Sequence, residues 1–287
     1  MNGILLIDKP LNWTSQDVVT KLKRILKIKK IGHAGTLDPL ATGLLVVLVG
    51  EATKLSNYLL EEDKKYHATV LVGAATLTED SEGEIIERKT VTRLDNVDMI
   101  LESLIGELEQ TPPMFSAIKQ DGKKLYDLAR KGLVVERKTR TVNIYDIKRI
   151  SDICYYNGEA EFSVLTHVSK GTYIRSLAVE IGSRLNYPAY LKGLRRVSSG
   201  KMTIDDCVTI EDVQNGNYKL LSMLEVLNYP EIVLDEEMHK KIVNGMTVKL
   251  DNIDYETVKM SYNNELVAIY QKSGQYYKAV RVWNLLN

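Results

Sequence analysis

The feature that most constrains this chain is a run of six aliphatic residues, Leu44-Leu45-Val46-Val47-Leu48-Val49. It follows directly on a glycine-rich stretch, Gly32-His33-Ala34-Gly35-Thr36-Leu37-Asp38-Pro39-Leu40-Ala41-Thr42-Gly43. No longer aliphatic run occurs in the 287 residues, and six is far short of the roughly 18 needed to span a bilayer as a helix. A short apolar run bounded by turn residues reads as a buried strand entered from a loop at 32–43. Tyr66, Ala68, Val70 and Val72 alternate with His67, Thr69 and Leu71, the period-two pattern of a half-buried strand. Strand patterns also occur at 3–7, 141–149 and 159–168. Helical spacing is carried by Val18, Leu22, Ile25 and Leu26 behind a Thr14–Asp17 capping box. It recurs at 97–106, stopping at Gly106, and from about Thr172, with Ile174, Leu177, Ala178, Ile181 and Leu185 on one face. After about residue 229, turn signals at Gly245, Asn252, Asn263-Asn264 and Gly274 separate short strands. The order predicts an α+β region followed by a small β-rich one.

Hydrophobic residues make up 44% and charged residues 26%, ordinary globular proportions that argue against disorder. Cys154 and Cys207, and the four histidines His33, His67, His167 and His239, lack metal-ligand spacing, so no zinc site or disulfide framework is expected. The N-terminus has no basic segment ahead of its short apolar stretch, so no signal peptide is read and a cytoplasmic protein is expected. Net charge is zero but unevenly spread: 1–60 and 111–150 are rich in Lys and Arg, whereas 61–110 and 201–287 are rich in Asp and Glu. A neutral total of this kind can hide a positive face able to collect phosphates.

There is no G-x-G-x-x-G, no G-x-x-x-x-G-K-[ST] and no G-x-S-x-G, which removes the nucleotide cradles and the serine-hydrolase elbow. What remains is one carboxylate, Asp38, in the glycine-rich loop, with Pro39 biasing it away from helical geometry. The plain alternative is a turn aspartate bonding its own backbone. Ser169-Lys170-Gly171-Thr172-Tyr173-Ile174-Arg175 lies where a strand gives way to a helix. A cation at a helix N-terminus opposes the helix dipole, so Arg175 calls for an anionic partner, a carboxylate or a phosphate. The plain alternative there is a surface ion pair.

Taken together these segments resemble the bacterial TruB family, the tRNA pseudouridine-55 synthases. The matching stretches are Leu6-Ile7-Asp8-Lys9-Pro10 through Thr14-Ser15, the whole of 32–43, and Lys65-Tyr66 with Gly73, Thr76, Thr78, Asp80 and Gly83. Further matches are Pro112-Pro113-Met114-Phe115-Ser116-Ala117 with Gly122-Lys123-Lys124-Leu125-Tyr126, then 169–175, then Leu194-Arg195-Arg196. They stand in family order across 3–200, and the tail resembles a PUA RNA-binding domain more weakly. Asn12 replaces a usual glycine, a mild change because Asn tolerates left-handed geometry, and Met202 stands where an aromatic is common.

The resemblance implies an α+β, mixed-sheet catalytic domain at 1–229 with an RNA-clamping insertion at about 107–140, and a PUA-like domain at 230–287. It implies isomerisation of uridine 55 in the tRNA T-loop, with Asp38, Tyr66 and Arg175 as catalytic residues. His33, Gly35, Thr36, Leu37, Lys64, Lys65, Tyr173 and Leu194 would bind the flipped nucleotide, and Arg175 would lower the Asp38 pKa. Lys21, Arg24, Lys123, Lys124, Arg130, Arg195 and Arg196 are expected to meet RNA phosphates. No cofactor, metal, membrane or obligatory protein partner is expected, and the partner is the T-arm of tRNA. Two competing readings are an RNA-guided synthase subunit, which the basic insertion disfavours, and a tRNA-folding chaperone.

Overall fold

The computed structural model describes residues 1–116, 119–120, 123–124 and 135–283. Its strands in chain order are β1 (Gly3–Lys9), β2 (Ile31–Ala34), β3 (Ala41–Val49), β4 (Lys64–Val72), β5 (Ala74–Thr76) and β6 (Ile85–Arg88). They continue with β7 (Gly106–Gln110), β8 (Lys119–Gln120), β9 (Lys123–Lys124), β10 (Arg140–Arg149), β11 (Cys154–Tyr156), β12 (Glu159–Val168), β13 (Ala189–Ser199) and β14 (Met202–Thr203). A ten-stranded sheet is built along the path β1-β3-β13-β4-β12-β10-β7, with β2, β11 and β14 paired off it. The sheet is mixed, because β13 runs parallel to β3 and antiparallel to β4.

The aliphatic run is uninterrupted because both faces of β3 are covered. Leu45, Val47 and Val49 pack with Val18, Val19 and Leu22 of the Ser15–Leu26 helix. Leu44, Val46 and Leu48 pack on the other side against Leu55, Leu59, Met223 and Leu227. In β4 one face is apolar along most of its length: Ala68, Val70 and Val72 join Phe162, Val164, Leu177 and Ile181 in a second core, while on the other face only Leu71 is a buried apolar residue. Thr69 on the opposite face bonds Ser163 at 3.1 Å. That division follows from the pleat, which sends alternate side chains to opposite faces.

The capping box forms as read, with Asp17 N donating to Thr14 Oγ1 at 3.0 Å and Thr14 N to the Asp17 carboxylate at 2.9 Å. Other expectations shift. Residues 32–34, read as the start of a loop, instead belong to β2, which pairs with β3. The helix read over 97–106 spans only Val97–Glu102, and Gly106, at φ +111°, opens β7 instead. The helix signalled in the insertion by Leu125, Leu128 and Ala129 lies outside the described residues.

The C-terminal part has a four-stranded sheet in the order β15 (Glu231–Val233), β16 (Thr257–Tyr262), β17 (Glu265–Ser273) and β18 (Tyr276–Val282). It also contains a helix, Glu236–Ile242, capped by Asp235. Leu234, Ile242, Val258, Met260 and Tyr270 form its own core. Leu266, Ile269 and Trp283 instead join the Leu44/Val46/Leu48 cluster, and the buried Trp283 indole donates to Glu51 O at 3.2 Å. No helix among the described residues is long and apolar enough to cross a membrane.

Candidate active site

A cavity of about 480 Å³ opens where the loop at 35–38, the head of β4, Phe115-Ser116 and the N-terminus of the Ile174–Arg184 helix converge. That volume is in the range of small-molecule sites. A larger recess near Lys89, Arg93 and Arg184 is less suited to a ligand, since those cations are already engaged by Asn186 O, Asp95 and Glu180 respectively.

The loop carrying Asp38 is fastened from below. The buried Ser15 hydroxyl donates to Leu37 O at 3.1 Å and accepts from Leu37 N at 2.9 Å. Asn12 N donates to Pro39 O at 2.9 Å, from a residue at φ +63° that Asn tolerates. The buried Lys9 ammonium donates to Trp13 O at 2.5 Å, Pro10 O at 3.0 Å and Pro39 O at 3.4 Å. Burial pushes its pKa down to about 8. From β13 the buried Arg196 guanidinium donates to Leu44 O at 2.7 Å and Gly35 O at 3.0 Å. A Cβ on Gly43, at φ +97°, would lie 2.3 Å from Arg196 O, so only glycine fits where the loop enters β3.

The Asp38 carboxylate does not close a turn on itself. Its Oδ2 lies 2.9 Å from Arg175 Nη2. Arg175, 6% exposed, also donates to Thr78 O at 3.2 Å and Phe115 O at 2.9 Å, and its Nη1 is 3.5 Å from Asp80 Oδ2. Asp80 is held by the Thr78 hydroxyl at 2.5 Å and Glu82 N at 3.1 Å. The anion that Arg175 calls for is therefore a carboxylate, shared between two acids. The Asp38 pKa moves up, against the sequence expectation. Burial raises it most, Arg175 opposes this, and the Asp80 charge adds to the rise. The side chain keeps 46% of its surface open to the cavity yet is walled by protein on its other sides, which is why desolvation prevails.

Tyr66 and Lys64 lie on one face of β4 and line the cavity. The Lys64 ammonium donates to Leu60 O at 2.8 Å and Glu62 O at 2.5 Å, and burial pushes its pKa down to about 8. Lys65, expected to bind the nucleotide, does not line the cavity, because the strand's alternation turns it to the opposite, exposed side. Gly35, Thr36, Leu37, Tyr173, Leu194 and Arg196 line the cavity. His33 sits on β2 and is not among the residues lining the cavity; burial and the Arg196 charge lower its pKa, and its Nδ1 has no partner among the described residues. Arg195 faces away and pairs with Asp8 through two contacts, 2.7 and 3.0 Å, so it is committed to a carboxylate rather than left open for phosphate. Lys21 and Arg24 lie on the Ser15–Leu26 helix, outside the cavity wall. Lys123 and Lys124 belong to β9, and their side chains, like Arg130, lie outside the described residues.

The sequence reading assigned no role to Asp80, Ser15, Gln110, Ser116 or Arg140. Gln110 Nε2 donates to Tyr173 O at 2.9 Å and its Oε1 accepts from Tyr173 N at 2.7 Å, fixing that residue at the helix entrance. Asp80, Ser15 and Ser116 stand in the quoted motif stretches; Gln110 and Arg140 had no local signal.

Residues 23–174 match the model of the TruB family pseudouridylate synthases, N-terminal domain. The chain belongs to the TruB family. It is 44% identical over 258 residues to tRNA pseudouridine synthase B of Bacillus licheniformis, covering 86% of this chain and 84% of that protein. It is 42% identical over 286 residues to the Bacillus cereus protein of the same name, covering 94% and 92%. Among solved structures, an H/ACA ribonucleoprotein bound to a substrate RNA containing 2′-deoxyuridine superposes with a TM-score of 0.72 at 23% identity. The match covers 98% of this chain and 85% of that one. The archaeal box H/ACA Nop10–Cbf5 complex gives 0.71 at 24%, covering 98% and 85%. These likenesses establish a shared mixed α+β fold. As a TruB-family pseudouridylate synthase, the protein is an isomerase that acts on RNA.

Proposed function

We propose that this protein isomerises uridine 55 in the T-loop of tRNA, acting alone on the T-arm in the cytoplasm. The observation that carries this is the Asp38 carboxylate, gripped at 2.9 Å by a buried arginine in a cavity whose other charged lining residues are all cations, in a chain 42–44% identical to proteins named tRNA pseudouridine synthase B. The reaction breaks the N1–C1′ bond, rejoins C5 to C1′, and removes the C5 proton while N1 takes one up, so product and substrate are isomers with no redox change. One ionised carboxylate can attack C1′ or C6, or assist elimination to a glycal, from the same position. Arg175 holds that carboxylate against the pull of burial, and Tyr66 offers a ring for the flipped uracil and a phenol to take the C5 proton. Extruding a base costs a few kcal/mol, to be offset by stacking and by contacts from Lys64, Thr36, Tyr173 and Leu194. The sheet at 231–282 takes the PUA-like role of holding RNA beyond the target loop.

The test is incubation of the purified protein with an unmodified tRNA transcript, followed by position-resolved pseudouridine mapping. The expected outcome is one pseudouridine, at position 55. A product elsewhere refutes the site, and activity only after a guide RNA is added refutes the stand-alone reading.

A further inference from the structure

Four cationic side chains line the cavity: Lys64, Arg140, Arg175 and Arg196. Three are spoken for. Arg175 is shared by Asp38 and Asp80, Arg196 spends two nitrogens on Leu44 O and Gly35 O while 1% exposed, and Lys64 is engaged by two carbonyls. Arg140, at the start of β10, differs in that one of its donors, Nε, is buried without a partner among the described residues. Its guanidinium donates to Gly171 O and lies over the Tyr173 ring, 4.6 Å from its centroid. It has no carboxylate within ion-pair distance among the described residues, although Arg88, Arg93, Arg149, Arg184 and Arg195 each have one. Three buried side-chain polar atoms lack a hydrogen-bond partner among the described residues: His33 Nδ1, Ser116 Oγ and Arg140 Nε. Ser116, 4% exposed, and Arg140 both line this cavity, whereas His33 lies on β2 outside its lining. Buried polar atoms are seldom left unpaired, so the two in the lining mark a site completed by what enters it.

We infer that Arg140 binds a backbone phosphate of the nucleotide that occupies the cavity. This rests on the reading of the cavity as an RNA site. A guanidinium with an unsatisfied Nε and no carboxylate within ion-pair distance among the described residues, set in a cavity wall, calls for an anion, and the phosphodiester is the anion an RNA strand brings. The planar fork suits two phosphate oxygens, as a lysine ammonium would not. Stacking on Tyr173 pre-orients the fork, so little side-chain freedom is lost on binding. Gln110 fixes the Tyr173 backbone on both its N–H and C=O, and the ring carried from that point lies under the guanidinium.

The test uses synthetic T-arm stem-loops carrying one neutral methylphosphonate at each linkage around the target uridine. Wild-type kcat/KM is expected to fall about tenfold or more at one linkage. Arg140→Gln should raise KM to a similar degree on unsubstituted RNA and lose sensitivity at that linkage alone. Its slope of log affinity against log salt should flatten by about 0.7–0.9, the share of one phosphate. Arg140→Lys, which keeps the charge, should retain the slope while losing part of the affinity, and thermal unfolding of both variants checks that they fold. If Arg140→Gln keeps the wild-type response at every linkage, or loses kcat with KM and salt slope intact, the inference is overturned and Arg140 serves only to support Tyr173. If wild-type protein makes no pseudouridine in the unsubstituted stem-loop, the RNA-site reading fails with it, and the two failures are told apart by that control.

Discussion

The cavity and the C-terminal sheet use charge in opposite ways. Around Asp38 the ions are buried or half-buried, two carboxylates share one arginine, and polar atoms lie unpaired. On the Glu236–Ile242 helix, Lys240 and Lys241 pair with Glu236 and Glu237 one turn away, in contacts mostly open to water. Exposed pairs of that kind contribute little because water screens them and holding them costs side-chain entropy. What the C-terminal sheet contributes comes from apolar contact, above all Trp283 set into the core of the larger part. Ordered charge in the cavity is costly to hold; the surface pairs cost nothing to lose.

The sharpest way to break the comparison is Asp38→Asn, which keeps shape and removes charge. Turnover, followed by pseudouridine mapping, should fall on the order of a thousandfold or more, while tRNA affinity by filter binding stays within a few-fold. Near-normal turnover would return Asp38 to a structural role. Trp283→Ala tests the other region: removing a buried indole costs about 3–5 kcal/mol of stability, read by urea unfolding, with the kcat of the folded fraction little changed. A large loss of kcat at intact stability would tie the C-terminal sheet to the chemistry instead.

A smaller effect separates the regions by pH. The Lys64 ammonium, at about 8, is charged below that value and neutral above it. If its charge helps draw RNA into the cavity, kcat/KM should fall by up to about tenfold per pH unit above 8. Lys64→Arg should lose that share of the decline, since a guanidinium stays charged; any limb left belongs to Lys9, which burial also pushes down to about 8. An unchanged profile in Lys64→Arg would remove Lys64 from binding. The smallest effect belongs to Glu237→Gln, for which the melting temperature should be unchanged within error at any pH. A measurable drop would show that the exposed pair with Lys241 bears more than its setting implies.

Much of the cavity was legible because its constraints are local. A glycine-rich loop, a proline after the acid and a cation at a helix entrance are chemical oddities within a few residues, and Asp38 and Arg175 meet as their oddities require. The alternation in β4 was equally plain, and followed one step further it would have excluded Lys65. Other features are written at long range. β13 went unread because Lys192, Gly193, Arg195 and Arg196 interrupt any alternation, and its register slips at Leu191/Gly193 and again at Arg196/Ser198. Arg140 looks like one cation in a basic stretch until β10 sets it beside Gly171 and Tyr173. The direction of the Asp38 pKa needed the cavity wall and the second acid, neither of which a list of residues supplies. The Glu236–Ile242 helix is short and polar, and its signal was the Asp235 cap alone.

The insertion of β13 between β3 and β4 also has a consequence in time. Leu194, Arg195 and Arg196 pair with Ala41, Thr42 and Gly43, more than 150 positions earlier in the chain. Until they arrive, β3 lacks the partner on that side and the loop of Asp38 lacks the Arg196 strap. Closing so long a span is entropically slow, so a nascent polypeptide ending between Arg175 and Leu194 carries Asp38, Tyr66 and Arg175 and still lacks the strand that completes the cavity. Competence is acquired in one late step, when the strand that arrives nearly last takes its place at the centre of the sheet.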